Sequence, residues 1–372
     1  MANVLHPTLR GPDPLPQAFV SILMDAPRSA QALGLFVALT LLWLFNGRRS
    51  NLDHKSSVYG LHHGRLHLQV PAAMWMNMGY WRDAGAKPRL SEACRRLLEA
   101  VLREAGLVQH SDTRKAPRPT RCLVDVGIGC GDQSICLMSD RPVRPSDTEW
   151  WHPSTSAVEF DYYVGITNDA VQARYAGERI DELKRTMQTL HESHDSSIAV
   201  ACADAAAPAS WDDQLRTQIH TARSKSDECW VLALDTAYHF SPSRWPLIHH
   251  VHTQLGASFM AFDLCLSPSA TLAQKTLLRL LTTLMGAPWA NFVTPDEYRQ
   301  KLVDIGYPEE LISVKDISQH VFTPLAEFLE QQDQRLKMLG LGIGSFSVAR
   351  TMFKWWGSSG LVRGVIIVAK NP

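Results

Sequence analysis

Apolar residues in this chain fall into short blocks separated by longer stretches of mixed pattern. The blocks are Cys122–Val126, Phe160–Ile166, Ile198–Asp204, Trp230–Asp235, Ser258–Leu266, Leu311–Asp316 and Gly364–Lys370. Short apolar runs with turn or helix signals around them read as buried strands. Between them the period changes. Ser91–Gly106 carries Ala93, Leu97, Leu98, Val101, Leu102 and Ala105 with arginines and glutamates in between, the 3.6-residue repeat of a surface helix. Ser91 is the expected N-cap and Gly106 the expected stop. Further helices are expected after Gln133, from Ala170 to about His191, over Ser243–Leu255 and Ser269–Met285, behind the Thr294-Pro295 pair, and over 323–339. Strands alternating with helix-length segments predict an α/β fold, a seven-stranded and mostly parallel sheet with helices on both faces.

The flanks divide the chain further. Residues 1–28 form a Pro-rich leader, with Pro7, Pro12, Pro14, Pro16 and Pro27. Residues 29–47 contain no charge, keep Trp43 near one end, and run into Arg48 and Arg49. That stretch is at the short end of what spans a bilayer, and it is expected to anchor the chain in a membrane. The basic flank puts the larger part on the cytosolic side, and an endoplasmic-reticulum location is the expectation. A cleaved signal peptide is not expected, because the apolar run starts too far in and the basic residues follow it instead of preceding it. Residues 48–120 form an N-terminal helical segment and 121–268 a core. Residues 140–158, with three prolines, read as an irregular insertion, 269–345 as a helical cap with the sixth strand, and 346–372 as the closing strand. The Gly340, Gly342, Gly344 trio is read as a linker.

Charge narrows the partners. Lys+Arg and Asp+Glu number 37 each in 372 residues, so no net electrostatic attraction to nucleic acid or anionic surfaces is implied. Seven scattered cysteines without a Cys-x-x-Cys pair are expected to be reduced and mostly buried. His54, His62, His63 and His67 lack acidic or thiol partners at ligand spacing, and no metal site is expected. His191-Glu192-Ser193-His194 is one residue too short for a zincin helix.

The chemistry gathers around Leu123-Val124-Asp125-Val126-Gly127-Ile128-Gly129-Cys130-Gly131-Asp132-Gln133. A strand, a glycine-rich turn and a helix start present backbone N–H groups at the carboxyl edge of a sheet, a site for a nucleotide-like ligand. A dinucleotide fingerprint would need its third glycine where Asp132 stands. Two other strand ends carry acids, Asp204 and Asp235, the latter leading into Thr236-Ala237-Tyr238-His239. Asn77-Met78-Gly79-Tyr80-Trp81 sets two aromatic rings beside a turn, suited to a sulfonium or an apolar substrate, or equally to a core plug.

These motifs together resemble class I S-adenosylmethionine-dependent methyltransferases, in particular the branch of sterol C-methyltransferases, tocopherol methyltransferases and cyclopropane fatty-acid synthases. The resemblance runs from about Trp75 to the C-terminus and implies a Rossmann-like methyltransferase sheet. It rests on the Gly79-Tyr80-Trp81 loop, on Asp125–Gly131, on Gly165-Ile166-Thr167 with Gln172, on Asp204, and on Asp235–His239. Asn168-Asp169 departs from the apolar-Ser pair usual there. What it implies is S-adenosylmethionine as cofactor, held by Asp125, Gly127, Gly129, Gly131, Thr167, Gln172, Asp204 and Asp235. It implies a lipophilic small-molecule acceptor lined by Trp81, Tyr238 and Trp289, with Tyr80 and His239 at the reacting centre. His239 is either the base that takes a proton or a group that only ties its loop. The activity implied is methyl transfer. A cyclase, isomerase or scaffold that binds the cofactor without spending it is the alternative.

Overall fold

The computed structural model of the chain describes residues 73–82, 89–108, 118–139, 160–189, 197–284 and 286–372. They begin with α1 (Leu90–Glu104), β1 (Arg121–Val126), α2 (Asp132–Met138), β2 (Tyr162–Thr167), α3 (Ala170–Thr189) and β3 (Ser197–Cys202). Then come α4 (Asp213–Ser224), β4 (Glu228–Leu234), α5 (Trp245–Thr253), β5 (Ser258–Leu266), α6 (Leu272–Leu284) and α7 (Pro295–Ile305). The chain closes with β6 (Ile312–Asp316), α8 (Phe322–Lys337), α9 (Phe346–Ser359) and β7 (Val362–Ala369).

The seven strands form one sheet in the order β3-β2-β1-β4-β5-β7-β6. The first five pair in parallel, and β7 runs antiparallel between β5 and β6. The continuous apolar runs follow from this layout, because central parallel strands are covered on both faces. Every residue of β1 and of β5 is buried. On one face Leu123, Trp230, Leu232, Met260 and Phe262 pack with Leu97, Leu98 and Val101 of α1. On the other, Val124, Val231 and Phe259 meet Leu215, Ile219, Leu247, Ile248 and Val251 of α4 and α5. The period-two alternation of the strands sorts neighbouring residues between the two cores. Strand order reverses next to β1, where doubly wound sheets open a crevice at their carboxyl edge.

Several boundaries differ from expectation. Helix α1 starts at Leu90 with Arg89 at its N-cap and no side-chain cap, so Ser91 lies inside the first turn. The segment expected to be only a closing strand holds α9 before β7, because Phe346, Ala349, Phe353 and Trp356 repeat at helical spacing and Trp356 is buried against Phe322. The Thr294 start of α7 stands as read: Thr294 and Glu297 form a capping box with Pro295 at the first helical position. Among the described residues no helix is long and apolar enough to cross a membrane. The leader, the expected anchor at 29–47, the histidines at 54–67 and the insertion at 140–158 lie outside the described residues.

A candidate ligand site at the carboxyl edge of the sheet

A cavity of about 470 Å³ opens beyond the ends of β1, β2, β3 and β4, within the range of roughly 300–1,000 Å³ typical of small-molecule sites. Gly127, Gly129, Thr167, Gln172, Asp204, Asp235 and His239 all line it, so seven residues singled out from sequence meet in one place. The turn after β1 makes this possible. Gly127 has φ of 79°, and a Cβ added there would sit 2.4 Å from Thr236 Oγ1. Gly127 N donates to Ile166 O at 2.7 Å, which ties the turn to β2. A Gly127→Ala chain combines a left-handed backbone with a clash against a β-branched neighbour, and we expect at least tenfold weaker ligand retention, measured by equilibrium dialysis. Unchanged retention would show that the turn tolerates a side chain.

Gly131 does not line the cavity. It occupies the N-cap of α2 in the left-handed region, where a Cβ would press on Ala176 Cβ at 3.0 Å, so it lets the loop lie against α3. Asp125 also stands back. It is fully buried, with Gln133 Nε2 donating to it at 2.7 Å and Tyr163 OH donating at 2.7 Å. Ser134 Oγ lies 2.6 Å from that phenol. Asp125 therefore reaches the cavity only through Gln133, which lines it. At the next strand end, Thr167 Oγ1 donates to Gln172 Oε1 at 3.2 Å. Asp169, the departure from the apolar-Ser pair, accepts from Val171 N and Gln172 N at 2.8 and 2.9 Å. It thus caps α3, as a serine would. Asp204 accepts from Ala206 N at 2.8 Å and borders the cavity.

The aromatic candidates are placed differently from expectation. Tyr80, Trp81, Tyr238 and Trp289 are not among the lining residues. Trp81 is buried, its Nε1 donating to Met78 O at 2.9 Å and its ring 5.1 Å from Phe328, so it takes the plug role. Tyr80 meets His320 edge-on at 5.3 Å, and Trp289 stacks on Phe292 at 6.0 Å. Tyr238 is buried beside His239, ring centroids 4.2 Å apart.

A strap of Met74, Trp75, Met76 and Asn77 lines the cavity, and of these the sequence motif had included only Asn77. Two carboxylates hold it: Asp132 Oδ1 accepts from Met74 N at 3.1 Å, and Asp235 Oδ2 accepts from Met78 N at 2.6 Å. Arg179 fixes Asp132 at 2.8 Å and donates to Cys130 O at 2.6 Å. Sequence reasoning missed Asn291, whose Nδ2 donates to Tyr238 O at 3.1 Å and Phe240 O at 2.9 Å, the carbonyls on either side of His239. Asn291 in turn accepts from Arg244 N at 2.9 Å, and fully buried Arg244 pairs with fully buried Asp263.

Burial sets the electrostatics. It pushes the Asp125 carboxyl up to about 7 and that of Asp235 up to about 8, against the lowering pull of the groups that donate to them. One Asp235 oxygen, Oδ1, is buried without any hydrogen-bond partner. Burial also lowers His239, while Asp263 and a bond to the Gly286 backbone oppose the shift, so the imidazole is neutral at pH 7. Because both carboxyls are raised, the folded chain holds protons that the unfolded chain releases. Their stabilisation is complete below about pH 4 and fades as pH rises through 7 and 8. Ligand-free protein is expected to lose on the order of 6 kcal/mol of unfolding free energy between about pH 5 and 8. Denaturant titrations of Asp125→Asn and Asp235→Asn should show a flatter profile; a slope unchanged in both would contradict the assignment.

Against known proteins, no family model and no curated protein sequence matches the chain. Solved structures do. The mycolic acid cyclopropane synthase CmaA1, in complex with SAH and CTAB, aligns with a TM-score of 0.51 at 13% identity, covering 79% of this chain and 89% of that one. The geranyl diphosphate C-methyltransferase of Streptomyces coelicolor gives 0.47 at 14%, covering 86% and 100%. The [4+2]-cyclase SpnF gives 0.49 at 16%, covering 84% and 93%. At 13% identity the likeness to the cyclopropane synthase is one of fold alone, a seven-stranded, mostly parallel, Rossmann-like sheet, as the strand pattern led one to expect.

Proposed function

We propose that the chain is an S-adenosylmethionine-dependent methyltransferase acting on a lipophilic small molecule. The observation that carries this reading is the convergence of Gly127, Gly129, Thr167, Gln172 and Asp204 on one cavity, since each occupies a cofactor position in the motifs that the sequence resembles. The donor set suits the group. Backbone around Gly127 and Gly129 faces the cavity, Thr167 with Gln172 offers hydroxyl and amide to a ribose, and Asp204 offers a carboxylate to an exocyclic amine. The unpartnered oxygen of Asp235, a carboxyl that burial keeps protonated near neutral pH, offers a ligand a hydrogen-bonding group. The bound cofactor supplies an electrophilic methyl group on a sulfonium.

The protein's share of the work is positioning and exclusion of water. Met74, Trp75, Met76 and Phe240 give the cavity apolar wall, the environment an apolar acceptor needs. His239, neutral and bordering the same space, is placed to take a proton from an acceptor that must lose one. The test is incubation of the purified chain with methyl-deuterated cofactor and panels of sterols, terpenoids, polyketides and lipids, read by mass spectrometry. A labelled methyl in a product is the expected result. A product formed while the cofactor stays intact would replace this reading with that of a cyclase or isomerase.

A further inference from the structure

The pair of helices α8 and α9 ends in an apolar tip that the cavity does not use. Met338, Leu339, Leu341, Phe346 and Val348 are exposed by 79, 51, 56, 63 and 52%. They make up five of the ten large exposed apolar side chains among the described residues, gathered within one turn and the start of α9. Water-facing surfaces rarely collect apolar side chains so densely without a partner. The turn is also held in shape. Asp333 Oδ1 accepts from Ile343 N at 3.1 Å, and its other oxygen meets Lys337 Nζ at 2.7 Å and Arg350 Nη1 at 3.5 Å. Arg350 also pairs with Glu330 at 2.7 Å, and Ile343 is buried. The chain thus buries Ile343 and fixes its neighbours outward.

Charge indicates the partner. The whole chain is balanced, yet from Gln334 to Pro372 there is no Asp or Glu. Lys337 and Arg350 pair with Asp333 and Glu330, the acids nearest along the chain, which leaves Arg335 and Lys354 as surplus cations beside the tip. An apolar tip with surplus cations beside it is complementary to a surface with a fluid apolar interior and a negative rim. A turn that presents side chains in several directions also suits a fluid medium better than a rigid groove.

We propose that this tip docks into an anionic lipid bilayer, with Leu339, Leu341 and Phe346 entering among the acyl chains and Arg335 and Lys354 lying against lipid phosphates. The inference rests on the surface alone and stands apart from the proposed reaction and from residues 29–47. To test it, the full chain is given Ser345→Cys in a Cys202→Ser background, since Cys202 is the exposed native thiol, and the new thiol is labelled with an environment-sensitive fluorophore. Ser345 makes no side-chain cap bond, so the label disturbs nothing the fold uses. With phosphatidylcholine vesicles containing phosphatidylserine, the emission should shift to the blue, and the shift should weaken as salt is raised. With phosphatidylcholine alone it should be much smaller. Leu341→Asp with Phe346→Asp, both at exposed positions, should weaken the titration at least tenfold while the thermal midpoint stays in place. Vesicle binding by the chain without a shift at the label would overturn the proposal, since attachment would then lie elsewhere. So would the absence of vesicle binding, or a shift without vesicles that grows with protein concentration, which would mean that a second copy covers the tip.

Discussion

A His239→Ala chain is expected to turn over about 10²–10⁴-fold more slowly with an acceptor that surrenders a proton, the usual worth of a positioned general base. His239 ends the short helical turn Ala237–His239 directly after β4 and borders the cavity. Its burial holds the imidazole below its ordinary range, so at neutral pH the ring is free to accept a proton. The acid limb of kcat should therefore fall below the usual histidine value of about 6.5. The alternative role, a ring that only ties its loop through the Gly286 backbone, has a different signature. His239→Gln keeps a hydrogen-bonding group but no base. If His239 is the base, Gln and Ala variants are equally slow and retain cofactor binding. Rescue of the rate by Gln would assign His239 to the loop instead.

An Arg244→Ala chain should be destabilised by about 3–5 kcal/mol, because it leaves the fully buried Asp263 carboxylate without its partner. Asp263 would then keep only Tyr298 OH, donating at 3.1 Å, and Leu264 N, donating at 2.9 Å. Burial already raises Asp263, and without the guanidinium it rises further, so the variant should be least stable at high pH and recover as pH falls. The damage also extends to the site. The Arg244 guanidinium donates to the Asn291 backbone carbonyl, and Asn291 holds the carbonyls flanking His239, so activity should fall even where the variant stays folded. Denaturant midpoints compared with the double variant Arg244→Met/Asp263→Leu separate charge from packing. The double variant should regain most of the stability, since an apolar pair carries no uncompensated charge. A single variant as stable as the parent chain would contradict the account.

Much of this was legible in the residues, and where it was not there is a physical reason. Strands of a parallel sheet covered on both faces are apolar throughout, so β5 was read with its bounds and β1 to within a residue. Gly127 and Gly129 announced a turn because few residues but glycine serve there. Direction was harder. The letters Tyr80-Trp81 report flat rings but not which way they face, and the Met78 carbonyl together with Phe328 turns Trp81 into the core. Asp125 looks like a ligand group from its place before the glycines, yet strand alternation points it inward to Gln133 and Tyr163. Contacts between distant segments left no local trace. Nothing in Ser243-Arg244-Trp245 signals a fully buried arginine, and nothing in Met74–Asn77 signals a strap over the cavity held by Asp132 and Asp235. The α9 segment did carry a helical repeat, but three glycines before it and a strand after it drew the reading toward a linker.

The most direct measurement is thermal unfolding of the full chain titrated with S-adenosylhomocysteine and S-adenosylmethionine, with NAD as the control. A ligand at about 100 times its dissociation constant stabilises the native state by about 2.7 kcal/mol, enough to move the midpoint by a few degrees. The account requires that shift with both sulfur ligands, none with NAD, and its loss in Gly127→Ala. A folded chain whose midpoint moves with neither sulfur ligand would contradict the assignment of this cavity.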